Sequence, residues 1–166
     1  MPIHIQYQLQ EGSGPQGEPL RVNQWELSIP FIGDDIHLWC NGAALPEQSV
    51  DKMTIRHFNQ LANVAGQTQT EDGSVTVRDI VTPDVYDRFY RWWLLVYNPE
   101  SGAIGFASEY KKRGFATRFD SKGNPVRTYE LINLWPTKVP AGDFNYDSSD
   151  GVMLEVPLVC DRIRPL

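Results

Sequence analysis

Ile3, Ile5, Tyr7 and Leu9 alternate with His4, Gln6 and Gln8 at the start of the chain. A period of two places the apolar side chains on one face and predicts a half-buried strand. Glu11 to Pro19 is dense in Gly and Pro and predicts a mobile loop near 11–19. Val22, Trp25, Leu27 and Ile29 restore strand character up to Pro30 and Gly33. Ile36, Leu38 and Cys40 then alternate as another strand, and Asn41-Gly42 signals a tight turn. From Ala43 to Gly66, Val50, Met53, Ile55 and Phe58 leave both a strand and a short helix open. Val75, Val77 and Ile80 predict a strand over 74–80.

One helix is expected at about 82–97. Thr82 suits an N-cap and Pro83 the first helical position. Asp84 and Asp87 put negative charge where the helix dipole favours it. Val85, Phe89, Trp92, Trp93 and Val96 form one apolar face, and Asn98-Pro99 ends the helix. Tyr86, Tyr90, Leu94, Leu95 and Tyr97 cover much of the remainder. A helix apolar nearly all round exceeds what a small core can cover, so part of it is expected to meet another subunit.

Strands follow at Ala103–Tyr110, Phe115–Phe119, Val126–Trp135 and Val152–Ile163. Lys111-Lys112-Arg113-Gly114 reads as a basic turn, Asp120-Ser121-Lys122-Gly123-Asn124 as a hairpin loop, and Pro140–Gly151 as an Asx-rich loop. Seven to nine short strands and one helix predict a mainly β chain, an antiparallel barrel or sandwich with one packed helix, in a single domain over 1–166.

Composition sharpens this. Of 166 residues, 41% are hydrophobic and 22% charged, which excludes a disordered chain. Aromatics at 11%, with five Trp, favour extensive core or subunit contacts. A net charge of −6 argues against tight nucleic-acid binding, although not against a surface that nucleic acid slides past. The N-terminus lacks the basic and apolar regions of a secretory signal, and no stretch approaches the roughly 18 apolar residues of a membrane span. Synthesis in the cytoplasm without a membrane anchor is the expectation. Cys40 and Cys160 stand far apart with no CxxC or Cys/His cluster near them. Two readings stand: free buried thiols, or a disulfide within or between subunits.

Candidate chemistry is sparse. Gly12-Ser13-Gly14-Pro15-Gln16-Gly17 matches GxGxxG formally but is stiffened by Pro15 and followed by a strand, so it reads as a loop. Asp143, Asn145, Asp147 and Asp150 approach a calcium-loop spacing, but Ser148 and Leu154 occupy the positions that need Gly and Glu. His4, His37 and His57 belong to no metal pattern, Asp34-Asp35 reads as a turn, and no serine has a GxSxG setting. No catalytic group, cofactor or metal ion is expected. Lys111, Lys112 and Arg113, with Arg118, Lys122 and Arg127 nearby, suit either a polyanion or an acidic face on a neighbouring copy.

The order of motifs in the second half is distinctive. Gly66-Gln67-Thr68 leads into Gly73-Ser74-Val75-Thr76-Val77-Arg78-Asp79, then the helix with Phe89-Tyr90-Arg91-Trp92-Trp93. The hairpin Asp120–Pro125 and the strand Tyr129–Pro136, ending in Trp135-Pro136, come next. Phe144–Val152, with Asp147-Ser148-Ser149, opens the last alternating strand to Ile163. This order resembles the tail-tube protein family of contractile phages and extracellular contractile injection systems, over roughly 66–163. The resemblance implies a tail-tube-like barrel whose copies form hexameric rings stacked around a lumen that conducts DNA or an effector. It implies partners in a contractile sheath, a baseplate and a terminator, and a place in a virion tail assembled in the host cytoplasm, or in a released injection particle. Interface candidates are Trp92, Trp93, Tyr97, Lys111, Lys112, Arg113 and Trp135. Two alternatives stand beside it: a single-ring initiator, adaptor or terminator of the same fold, and a β-sandwich carbohydrate-binding module using Trp25 and Trp39.

Overall fold

The computed structural model describes residues 19–166. The alternating segment Ile3–Leu9 with His4, the Gly12–Gly17 motif and all but the last residue of the loop expected over 11–19 lie outside the described residues.

The first strand, β1 (Trp25–Ser28), buries Leu27, and Ile29 continues inward just beyond it. A 3-10 turn (Asp34–Leu38) replaces the strand expected through Ile36 and Leu38. Three residues per turn carry Ile36 inward and leave Leu38 in solvent. Arg88 holds the Asp35 carboxylate at 2.6 Å and so fixes the turn. β2 (Cys40–Ala44) runs straight through Asn41-Gly42, the expected tight turn. Its pairing with a neighbouring strand overrides the local preference, and the irregularity survives as a bulge between Cys40 and Gly42.

The undecided stretch resolves as a long antiparallel hairpin, β3 (Glu47–His57) and β4 (Gln60–Glu71), every pair of which is mutual. It forms a separate two-stranded sheet, hereafter the arm, whose main contact with the rest of the protein is where β3 passes the last strand.

β5 (Gly73–Arg78) buries Val75 and Val77. The expected helix is α1 (Val85–Val96), starting two residues later than Thr82-Pro83 predicts. Asp84 is the N-cap: its carboxylate accepts the Asp87 backbone N–H at 2.8 Å. The predicted inward face is present in Val85, Phe89 and Trp92. A second short helix, α2 (Ala107–Tyr110), stands where alternation predicts a strand. The Glu109 carboxylate accepts the Phe106 N–H at 3.3 Å, and the Trp92 indole donates to the Tyr110 carbonyl at 2.7 Å, so local caps and a core donor decide it.

β6 (Lys112–Phe119) and β7 (Pro125–Pro136) form a hairpin around Asp120, whose carboxylate accepts the Lys122 and Asn124 N–H groups, each at 2.8 Å. β6 begins within the expected basic turn. The single final strand expected to Ile163 is two, β8 (Met153–Val159) and β9 (Arg162–Pro165). Apolar alternation runs as far as Cys160, and the change of phase to Ile163 marks the break. β7 changes partner there, pairing β9 up to Ile132 and β8 from Trp135. Between them Asn133 takes φ 59°, a value asparagine tolerates, and turns the corner.

The strands run β1-β6-β7-β8-β5-β2, with β9 also on β7, all antiparallel. The corner in β7 divides this sheet into two halves. Leu27, Ile29, Leu131 and Leu134 from one half meet Val75, Val77, Leu154 and Val156 from the other, with Phe89 and Trp92 of α1 joining the same core. Among the described residues, β1 and β2 are the edges of this sheet.

Candidate functional site

The described residues offer surfaces rather than a catalytic centre. The arm carries one of these. Pairing puts Met53 opposite Val64 and Ile55 opposite Ala62 on one face of its outer half. Met53, Ile55 and Val64 are 53%, 46% and 40% exposed, with no second layer above them among the described residues. The inner half of that face is polar, where Gln69 donates to Asp51 at 2.8 Å. At the tip, His57-Phe58-Asn59-Gln60 closes the hairpin in a two-residue turn. Phe58 occupies the position with φ 53° and is 93% exposed, its ring touching only His57 edge-on at 4.8 Å.

A second surface lies along the shoulder of α1. Tyr86, Tyr90, Trp93 and Tyr97 repeat at four, three and four residues, and their rings follow one another at 5.8, 5.9 and 5.8 Å. The Trp93 indole donates to the Thr137 carbonyl at 3.1 Å, which ties the stripe to the end of β7. A cleft is the third surface. It opens between the two edge strands, has a volume of about 350 Å³, and is lined by Trp25, Gly42, Leu45, Ala116, Arg118 and Tyr129 among others.

The predicted interface residues are scattered over these features. Trp92 is 0% exposed and packs against Phe89 and Phe31, so it is a core residue of its own chain and has no surface to offer a neighbour. Trp93 and Tyr97 belong to the helix stripe. Trp135 packs against the core with Tyr110 at 5.4 Å.

Each member of the basic run has a partner within the chain. Lys111 donates to Asp161 at 2.8 Å, and Asn133 donates to the same carboxylate oxygen at 2.8 Å. Together they pin the corner of β7 to the junction between β8 and β9. These donors, Lys111 first, hold the Asp161 carboxyl below its ordinary pKa. Lys112 sits over the Phe31 ring at 4.4 Å. Arg113 lies 3.5 Å from Glu130, a buried carboxylate that also accepts from Arg164. Strand pairing and these partners make the run a seam of the fold, which is why no basic turn forms there.

Cys40 and Cys160 are both free, so the disulfide reading within one chain does not hold. Burial pushes the Cys40 thiol up to about 12 and raises that of Cys160 as well. The oxygens of the Asx-rich loop are engaged locally: Asn145 accepts the Asp147 N–H at 2.9 Å and Ser148 donates to Asp150 at 2.9 Å. Asp34 and Asp35 lie in the 3-10 turn, where the side-chain hydrogen bond from Arg88 holds Asp35 below its ordinary pKa. Of the two tryptophans named for carbohydrate, Trp25 lines the edge cleft and Trp39 packs against the core. The arm and cleft were absent from the sequence expectations. The signal for the arm was the Met53, Ile55, Ala62, Val64 set, interrupted by a change of phase near Gly66.

Comparison with known proteins agrees with these features. Residues 46–164 match the family described as T4-like virus tail tube protein gp19. The tail tube protein gp19 of Enterobacteria phage T4 is 28% identical over 148 residues, covering 87% of this chain and 91% of that protein. Its counterpart in Enterobacteria phage T6 is 27% identical over 148 residues with the same coverage, 87% and 91%. A chain of the sheath-tube complex of the extracellular contractile injection system PVC, in its extended state, superposes with a TM-score of 0.74 at 17% identity, covering 95% and 98% of the two chains. The tube terminating cap of the anti-feeding prophage does so at 0.71 with 14% identity, covering 89% and 91%. These structures share the fold.

Proposed function

The chain belongs to the T4-like virus tail tube protein family, and from that premise we propose that it is a structural subunit of the inner tube of a contractile tail, built from stacked rings of six copies around a lumen. The observation that carries this reading is the family match over 46–164, which takes in the arm, α1 and every strand from β5 to β8. The exposed outer face of the arm supports it independently. A lone two-stranded hairpin is marginally stable in water, and burying the half of Met53, Ile55 and Val64 that is still exposed against another copy is worth about 1 kcal/mol for each side chain. The aromatic stripe of α1, with Trp93 and Tyr97, is a further surface for a neighbour or for an enclosing sheath.

The reading assigns the protein no reaction, no cofactor and no metal ion. Its working partners are further copies of itself, a contractile sheath, and baseplate and terminator proteins at the ends of the tube. DNA or an effector passes through the lumen, and a net charge of −6 suits passage of a polyanion without retention. The place of action is the virion tail, assembled in the host cytoplasm, or an injection particle of the same design. A single-ring cap of this fold is the second reading, favoured by the superposition on the anti-feeding prophage tube terminating cap.

Electron microscopy and sedimentation of the purified protein test the first reading. Rings or rods of uniform diameter are expected. A protein that stays monomeric at every concentration overturns it. Copy number per particle separates a tube, with many rings, from a cap with one.

A further inference from the structure

Phe58 contradicts the local rules of its turn. Glycine is preferred at a left-handed position in a two-residue hairpin, and a bulky aromatic residue there is strained by about 1 kcal/mol or more. Asn59, which tolerates that conformation better, stands one place further on. The strain gains little among the described residues, because the ring is 93% exposed and its one ring contact is with His57. Such an arrangement presents a large apolar group at the far end of the arm.

The cleft between β1 and β2 is the matching cavity. Its 350 Å³ volume is ample for a phenyl ring, since an apolar cavity of about 150 Å³ already holds benzene. Trp25, Tyr129, Leu45 and Ala116 give it aromatic and aliphatic walls, and the exposed Arg118 can lie over the face of a ring that enters. Gly42 leaves its mouth clear: a Cβ there would meet nothing within 4 Å.

Geometry forbids Phe58 from filling the cleft of its own chain. Leu45 lies two residues before β3, so the cleft sits at the root of the arm. The tip is ten residues further along an extended strand from Glu47 to His57, a distance of about 33 Å at 3.3 Å per residue. We propose that Phe58 at the tip of the arm seats in the β1–β2 cleft of another copy of this chain. The contact is head-to-tail, so each copy gives one ring and receives one, and the arm length sets the spacing between the joined copies. This rests on the self-assembly reading above and deepens it by naming an anchor and its socket.

Two substitutions test it from opposite ends. Phe58→Gly relieves the turn, so the isolated protomer is expected to melt no lower than wild type. Assembly is expected to need roughly thirtyfold more protein, the scale of losing one aromatic hot spot of about 2 kcal/mol. Gly42→Leu fills the socket from its open side and is expected to weaken assembly similarly with the protomer still folded. Cross-linking supplies the pairing directly. Phe58→Cys protein mixed with Gly42→Cys protein is expected to give a disulfide-linked heterodimer on mild oxidation, while neither variant alone gives a dimer. Cys160 is buried and Cys40 partly so, both with raised thiol pKa values, and they contribute little background. If Phe58→Gly assembles at the wild-type concentration, or rings form with no such cross-link, the anchor is refuted and the tube reading stands. If the wild-type protein never assembles, both fail together.

Discussion

The body and the arm use the same device, strands that alternate apolar and polar positions, and differ in where the covering layer comes from. In the body, Val75, Val77, Leu154 and Val156 are covered by β1, β6, β7 and α1 of the same chain. In the arm, Met53, Ile55 and Val64 have no covering layer among the described residues. One region therefore completes its stability alone, and on the proposed reading the other is completed by assembly. A subunit that must first exist singly and then join many neighbours needs both kinds of surface. Separating them in space keeps a fault in one from damaging the other.

The sharpest way to break this division is through the body. Trp92→Ala removes the largest fully buried side chain, and the indole bond to the Tyr110 carbonyl with it. A loss of about 3–5 kcal/mol is expected in urea unfolding, enough to unfold a marginal domain. Ile55→Asp tests the arm. Unfolding of the protomer should shift by no more than about 0.5 kcal/mol, because the site is on the surface of a single chain. Assembly should be abolished, because a carboxylate would be buried in the interface without a partner. Sedimentation and urea titration of the same sample check both halves of that expectation.

Smaller effects sharpen the picture within the body. Asp84→Ala removes the cap of α1 and should cost about 1 kcal/mol, where Thr82→Ala should cost almost nothing. The smallest effect is expected at the corner pin. Lys111 and Asn133 hold the Asp161 carboxyl below its ordinary pKa in the folded state. The unfolded chain takes up the proton near the usual value of about 3.9. The stabilisation is thus fully present above that pH and is lost as pH falls through the lowered folded pKa. Asp161→Asn should flatten this acid limb in pH-dependent melts and leave neutral-pH assembly unchanged.

How much of this was legible in the sequence follows the same division. Val75 with Val77, the inward face of α1 and the long alternation of β7 were readable, because each element buries a regular face inside its own chain. The 3-10 turn and α2 were not, because they are decided by contacts distant in sequence: Asp35 with Arg88, and the Tyr110 carbonyl with Trp92. The break at Cys160-Asp161 was signalled only by the change of phase from Cys160 to Ile163, where the pairing partner on β7 also changes. The arm escaped a firm assignment because its apolar face covers only the outer half. The basic run looked like surface charge because its partners, Glu130 in β7 and Asp161 at the β8–β9 junction, are many residues away along the chain. The family resemblance was visible in the order of motifs from Gly66 onward, and the matched region reaches further back, to residue 46.

The change of phase in the arm has a consequence of its own. Val50 pairs with Thr68 and Lys52 with Ala65, so β4 carries one residue more than β3 between these pairs. Gly66 lies in that interval, where a Cβ would fall 3.0 Å from the Asp51 carbonyl. The extra residue works as a vernier. It lets Val64 and Ala62 line up with Met53 and Ile55 although Gln69 and Glu71 share the other half of that face. A slip of one position in β4 would turn its half of the apolar stripe to the opposite side without altering composition. On the proposed reading, inserting or deleting one residue in β4 would therefore re-aim the face that a neighbouring copy meets.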